Sequence, residues 1–84
     1  NGFATAVSDE AILTMQARVA QSEGILLCPE GAATAAALAQ EIESGRISKN
    51  EKVVLFNCAT GLKYPMPASD QFVDRHSPID YNQF

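Results

Sequence analysis

An α/β architecture is predicted for this 84-residue chain, which reads as a helix-strand-helix-strand portion of a larger three-layer open sheet, incomplete on its own, with an irregular carboxyl-terminal tail. Two windows of helical character, 8–23 and 31–44, alternate with two short apolar runs, 25–28 and 53–57, and such alternation marks an α/β sheet. The second run, Val53-Val54-Leu55-Phe56, is apolar at every position, the pattern of a parallel strand covered on both faces. A polar, glycine-punctuated turn over 58–67 follows it, where open α/β sheets bind their ligands.

The first helix is expected to start at Ser8, an N-cap followed by Asp9 and Glu10, whose carboxylates suit the positive end of the helix dipole. Ile12, Met15 and Val19 make one apolar stripe with Ala11 and Ala20 at its margins, leaving Gln16, Arg18 and Gln21 to water. Gly24 supplies the left-handed stop. Ile25-Leu26-Leu27 then reads as a brief strand ended by Cys28-Pro29, because proline cannot donate to the ladder. Six alanines between Ala32 and Ala39, with Leu38 and Ile42, combine helix propensity with side chains small enough for close backbone approach. Ser44-Gly45 ends that helix, and 46–52 form a polar connection. Two strands of this length make no stable sheet by themselves, so further strands are expected from elsewhere. In the tail, 68–84, Phe72, Val73, Ile79 and Tyr81 are expected to pin an irregular segment to a larger body.

Composition narrows the function classes. A net charge of −4 with six dispersed Lys and Arg lacks the basic surface that a phosphate backbone requires, which argues against nucleic acid. With 46% hydrophobic and 19% charged residues and no long apolar run, neither disorder nor a membrane span is expected. The chain opens Asn1-Gly2-Phe3 without a signal-peptide pattern, so an upstream segment and a cytoplasmic protein are expected. Cys28 and Cys58 lack zinc-site or Cys-x-x-Cys spacing, and His76 stands alone. Two reduced thiols fit best, with a bridge between them left open.

The turn offers small polar groups, Asn57, Cys58 and Thr60, and a glycine, Gly61, that lets a backbone come close. That suits a flat, polar-edged molecule. The same residues also serve simply to satisfy backbone groups at a strand end. Glu30, before the alanine-rich helix, is favoured there by the dipole with or without a ligand.

Read together, Glu23-Gly24-Ile25, Pro29-Glu30-Gly31-Ala32-Ala33 and Ala59-Thr60-Gly61-Leu62-Lys63-Tyr64-Pro65 resemble the carboxyl-terminal part of the threonine synthases, pyridoxal-phosphate (PLP) enzymes of the tryptophan-synthase-β structural group. The resemblance spans most of residues 7–67. It implies that residues 1–84 are the carboxyl-terminal part of a PLP-binding domain. Cys58 stands where the group usually has a Thr or Ser bonded to the pyridine nitrogen, Thr60 is the reserve for that contact, and Glu30 matches a glutamate near the ring. A thiol is only a weak donor, so Cys58 departs from the group's pattern. Lys63 is not expected to carry the cofactor, because the group's lysine and its phosphate loop lie in the amino-terminal half. Gly31-Ala32-Ala33 is a poor anion site beside the Glu30 carboxylate.

The implied activity is a lyase reaction of threonine biosynthesis, O-phospho-L-homoserine and water giving L-threonine and phosphate. The intact enzyme would catalyse it and these 84 residues alone would not. The implied partners are an amino-acid substrate and the amino-terminal part of the same enzyme, with a homo-oligomer left open and neither nucleic acid nor membrane involved. Two alternatives stand beside this: a stand-alone, non-catalytic α/β interaction module, and a related PLP lyase acting on another amino acid.

Overall fold

The computed structural model describes residues 1–66 and 73–83. It contains two α-helices, α1 (Asp9–Glu23) and α2 (Pro29–Glu43), and two 3-10 turns, Gly61–Lys63 and Tyr81–Gln83. The two helices pack on each other, and among the described residues there is no strand.

α1 forms as its sequence dictates. Ser8 Oγ accepts the Ala11 N–H at 3.1 Å, and Asp9 and Glu10 occupy the first turn. Gly24, at φ 67°, closes the helix in the left-handed region and donates to the Ala20 carbonyl at 3.0 Å. Ala11, Ile12, Met15, Val19 and Ala20 are all half-buried, as the stripe requires. Gln16 departs from the expectation of a water-facing residue. It is buried, and its Nε2 donates to the Leu27 carbonyl at 2.7 Å, tying α1 to the segment that leads into α2.

α2 begins two residues earlier than expected. Cys28 is its N-cap, its sulfur accepting the Gly31 N–H at 3.3 Å, and Pro29 occupies the first turn, where a missing N–H costs nothing. Gly31, Ala32 and Ala36, all small, are buried. Ser44 caps the far end, donating from its backbone to the Gln40 carbonyl at 3.0 Å.

The strands expected at 25–28 and 53–57 do not form, and the α/β reading is corrected: the described residues make a small helical unit. A strand exists only through its pairing. Leu27 makes a single antiparallel bridge, to Thr60, before Cys28 commits the chain to the cap of α2. Residues 53–56 have no ladder partner among the described residues, and Val54 and Phe56 are 95% and 78% exposed. Continuous apolarity identified a segment suited to burial, but the burial it needs is not supplied here.

The amino-terminal segment is held to the end of α2 by one buried carboxylate. Glu41 Oε1 accepts from Thr5 Oγ1 at 2.7 Å, while Gln40 Nε2 donates to Thr5 Oγ1 at 3.0 Å and to the Ala6 carbonyl at 3.1 Å. Glu41 Oε2 lies 3.1 Å from Arg46 Nε, an ion pair whose geometry falls short of a hydrogen bond. The Arg46 guanidinium also sits 4.5 Å from the centre of the Phe3 ring. In the tail, Val73, Ile79 and Tyr81 are exposed, while Phe72 and Pro67 lie outside the described residues.

Arg46→Ala should loosen this junction by about 1 kcal/mol, small because the guanidinium is half in water. Hydrogen exchange at the Ile47 amide, which donates to the Glu41 carbonyl at 3.1 Å, should accelerate, with the amides in the middle of α1 unchanged.

Candidate functional site

The turn that follows the apolar run is clamped onto the start of α2. Backbone contacts hold its centre: Leu27 and Thr60 form the antiparallel bridge, and the Gly61 N–H donates to the Leu26 carbonyl at 3.1 Å. Gly61 is required by proximity. A Cβ there would meet Leu26 Cγ at 2.6 Å and the Leu27 carbonyl oxygen at 2.8 Å, closer than real Cβ contacts allow. At Gly31 the neighbour is a side chain: a Cβ there would lie 3.0 Å from Asn57 Cγ, and Asn57 would have to move aside.

Side chains hold both ends of the turn. At its start, the buried Cys28 thiol faces Asn57 Oδ1 at 3.5 Å while also capping α2. At its end, the Tyr64 hydroxyl donates to Glu30 Oε1. Thr60 Oγ1 accepts the Leu62 N–H at 3.3 Å, capping the 3-10 turn Gly61–Lys63. Lys63 Nζ lies 5.3 Å from the centre of the Tyr64 ring.

This arrangement leaves an open hollow of about 490 Å³ lined by Ile25, Leu26, Asn57, Cys58, Ala59, Thr60 and Leu62. Cys58 and Thr60, two of the three expected site residues, come together at its wall. Glu30, the third, does not line it; it stands exposed beyond the turn in the grip of Tyr64. Both cysteines are free thiols, Cys28 buried and Cys58 exposed. The lining holds no charged side chain, and among the described residues no cluster of His, Cys, Asp and Glu could hold a metal ion. A neutral wall with an exposed thiol and hydroxyl suits the polar edge of an uncharged ring. It does not suit a phosphate, which needs cations or a run of free N–H groups.

Two residues that build the site were not singled out from sequence. Cys28 is outside the usual set of capping residues, so its role carried no signal beyond the Pro29 that follows it. Tyr64 was visible only as part of the motif, its partner lying 34 positions away.

Residues 1–59 match a protein family described as pyridoxal-phosphate dependent enzymes. The chain belongs to that family. Within it, the chain is 39% identical over 64 residues to a threonine synthase of Methanocaldococcus jannaschii, an alignment covering 76% of this chain and 16% of the relative. A threonine synthase of Halalkalibacterium halodurans is 40% identical over 68 residues, 81% of this chain and 19% of the relative. One from Bacillus sp. (strain ULM1) is 41% identical over 59 residues, 70% and 17% respectively. The chain thus spans less than a fifth of the length of these relatives. No solved structure gave a significant match. Among the described residues no helix is long and apolar enough to cross a membrane.

The Glu30–Tyr64 pair has a defined pH window. The Tyr64 hydroxyl holds the Glu30 carboxyl below its ordinary 4.5, and the Glu30 carboxylate pushes Tyr64 up from 10.0 to about 12. The carboxylate's contribution to the folded turn is therefore complete above pH 4.5 and fades as pH falls through the lowered value. The phenol's contribution is present below pH 10.0 and is lost as pH rises through about 12. In a Tyr81→Phe background, ultraviolet titration should show Tyr64 ionising near pH 12, and Glu30→Leu should return it toward 10.0.

Proposed function

We propose that this chain supplies the pyridine-ring side of the cofactor site in a threonine-synthase-like enzyme that converts O-phospho-L-homoserine and water to L-threonine and phosphate. The observation that carries this reading is the hollow beside the 57–64 turn, whose wall presents a thiol and a hydroxyl among apolar residues and no charge. The family membership and the threonine synthase relatives support the same assignment.

Cys58 and Thr60 would hold the ring edge. When bound, pyridoxal phosphate supplies an electron sink for elimination and replacement at the β or γ carbon of an amino acid. The chain's own residues orient that ring and set its polarity. The Cys58 thiol offers the ring nitrogen a weak donor and, unlike a carboxylate, does not enforce its protonation. Thr60 already accepts the Leu62 N–H through its hydroxyl oxygen, which leaves the hydroxyl proton free to donate. Ile25, Leu26 and Leu62 would offer the ring apolar contact. Glu30 takes a lesser part, through its bond with Tyr64. The lysine that carries the cofactor and the loop that binds its phosphate come, on this reading, from the amino-terminal part of the same enzyme, as does most of the substrate contact.

In the full-length enzyme, Cys58→Thr should tighten cofactor binding by about two- to tenfold, the worth of one neutral hydrogen bond of roughly 0.5–1.5 kcal/mol. Cys58→Ala should weaken it by less, because the thiol donates poorly. Cofactor dissociation constants unaffected by Cys58→Thr, Cys58→Ala and Thr60→Ala alike would overturn the assignment. Mixed with pyridoxal phosphate and then reduced with borohydride, the 84-residue chain should retain no stoichiometric pyridoxyl adduct by mass spectrometry. A one-to-one adduct on a single lysine would contradict the division of labour proposed for the two parts of the enzyme.

A further inference from the structure

The two ends of the site turn grip the same turn of helix. Asn57 lies against Cys28 and Gly31, and Tyr64 against Glu30, so residues 28–31 serve as the common anchor. Between these ends the backbone is fixed at Thr60 and Gly61, by the bridge to Leu27 and the bond to Leu26. Past Gly61, Leu62, Lys63, Pro65 and Met66 are all exposed, and Tyr64 is the one residue of 62–66 that is partly buried. The 3-10 turn Gly61–Lys63 closes with a bond from the Tyr64 N–H to the Gly61 carbonyl at 3.1 Å, so the position of Tyr64 is transmitted directly to Gly61.

We propose that Tyr64 is a positioning residue for this site: by donating its hydroxyl to Glu30 it fastens the far end of the turn to the first turn of α2, and thereby holds Cys58 and Thr60 at the wall of the hollow. The inference rests on the pyridoxal-phosphate reading for what the wall faces, but not for the order of the wall itself. It also gives Glu30 a role, as the acceptor that receives the turn. The groups facing this pair are few. Lys63 and Cys28 act on Glu30, while Cys28 and Cys58 act on Tyr64. Ionised Glu30 with neutral Tyr64 is thus the locked state, and protonation of Glu30 weakens it.

The test uses the full-length enzyme and reads protection of the Gly61 amide from hydrogen exchange. Tyr64→Phe removes the hydroxyl and keeps the ring under Lys63. It should lower Gly61 protection about threefold or more at pH 7, as should Glu30→Leu. The double variant should lose little beyond the larger single effect, since both remove the same bond. Glu30→Gln, whose amide oxygen still accepts, should restore most of the protection. In the unsubstituted enzyme, Gly61 protection should fall as pH drops below 4.5, and in Tyr64→Phe that acid-dependent loss should vanish. Unchanged Gly61 protection in Tyr64→Phe overturns the proposal, as do fully additive single effects. Failure of Cys58→Thr to alter cofactor binding in the full-length enzyme, with the exchange results intact, counts against the cofactor reading alone and leaves the role of Tyr64 supported.

Discussion

Cys28 is the point on which this small structure turns. It is fully buried, and its sulfur does two things at once: it caps α2 through the Gly31 N–H and faces the Asn57 side chain at the start of the site turn. The residue before it, Leu27, pairs with Thr60 and receives the Gln16 side chain from α1. Both helices and the turn therefore converge on two consecutive residues. A glycine follows on each side of the junction: Gly61, which has no room for a Cβ, and Gly31, against which the Asn57 side chain packs. The close approach is what brings a thiol and a hydroxyl from the turn alongside Ile25 and Leu26.

How much of this was legible in the sequence differs from element to element, for physical reasons. α1 could be read almost to the residue, since its cap, its first-turn acids and its glycine stop are local signals that act within one turn of helix. The body of α2 was equally plain from its alanines. Its start was not, because a cysteine cap is uncommon and Pro29 fits the end of a strand as well as the beginning of a helix. The two apolar runs were read as strands from composition, yet a strand is settled by pairing, a non-local matter on which composition is silent. Leu27 found one bridge, to Thr60, and Val54 found none. At the site, Cys58 and Thr60, two positions apart in one motif, line the same hollow. Glu30 is instead bonded to Tyr64, and no local pattern foretells a contact across 34 positions.

The electrostatic layout follows from the same geometry. Charge is kept at the margins: Glu30 and Lys63 lie at the far end of the turn, and Glu41 and Arg46 are at the opposite end of α2. The hollow between Leu26 and Leu62 is left neutral. Such a surface discriminates by shape and by single hydrogen bonds. A thiol in place of a hydroxyl therefore matters more here than it would beside a charged group, where Coulombic attraction would outweigh it.

The source of order in this unit also sets how its site can be perturbed. The buried apolar side chains among the described residues are Cys28, Ala32 and Ala36, all small, while Val54, Phe56 and Leu62 face water. Hydrophobic burial scales with area, so so little buried surface contributes little to stability. The helices are held mainly by alanine propensity and by their caps, and the turn by a handful of polar contacts. When order comes from separate hydrogen bonds instead of a shared core, losing one loosens the segment it serves and leaves the others in place. A change at Tyr64 or Glu30 is then felt at Gly61 and along the Cys58–Thr60 wall, while α1, fastened through Gln16 at the other side of Leu27, keeps its structure.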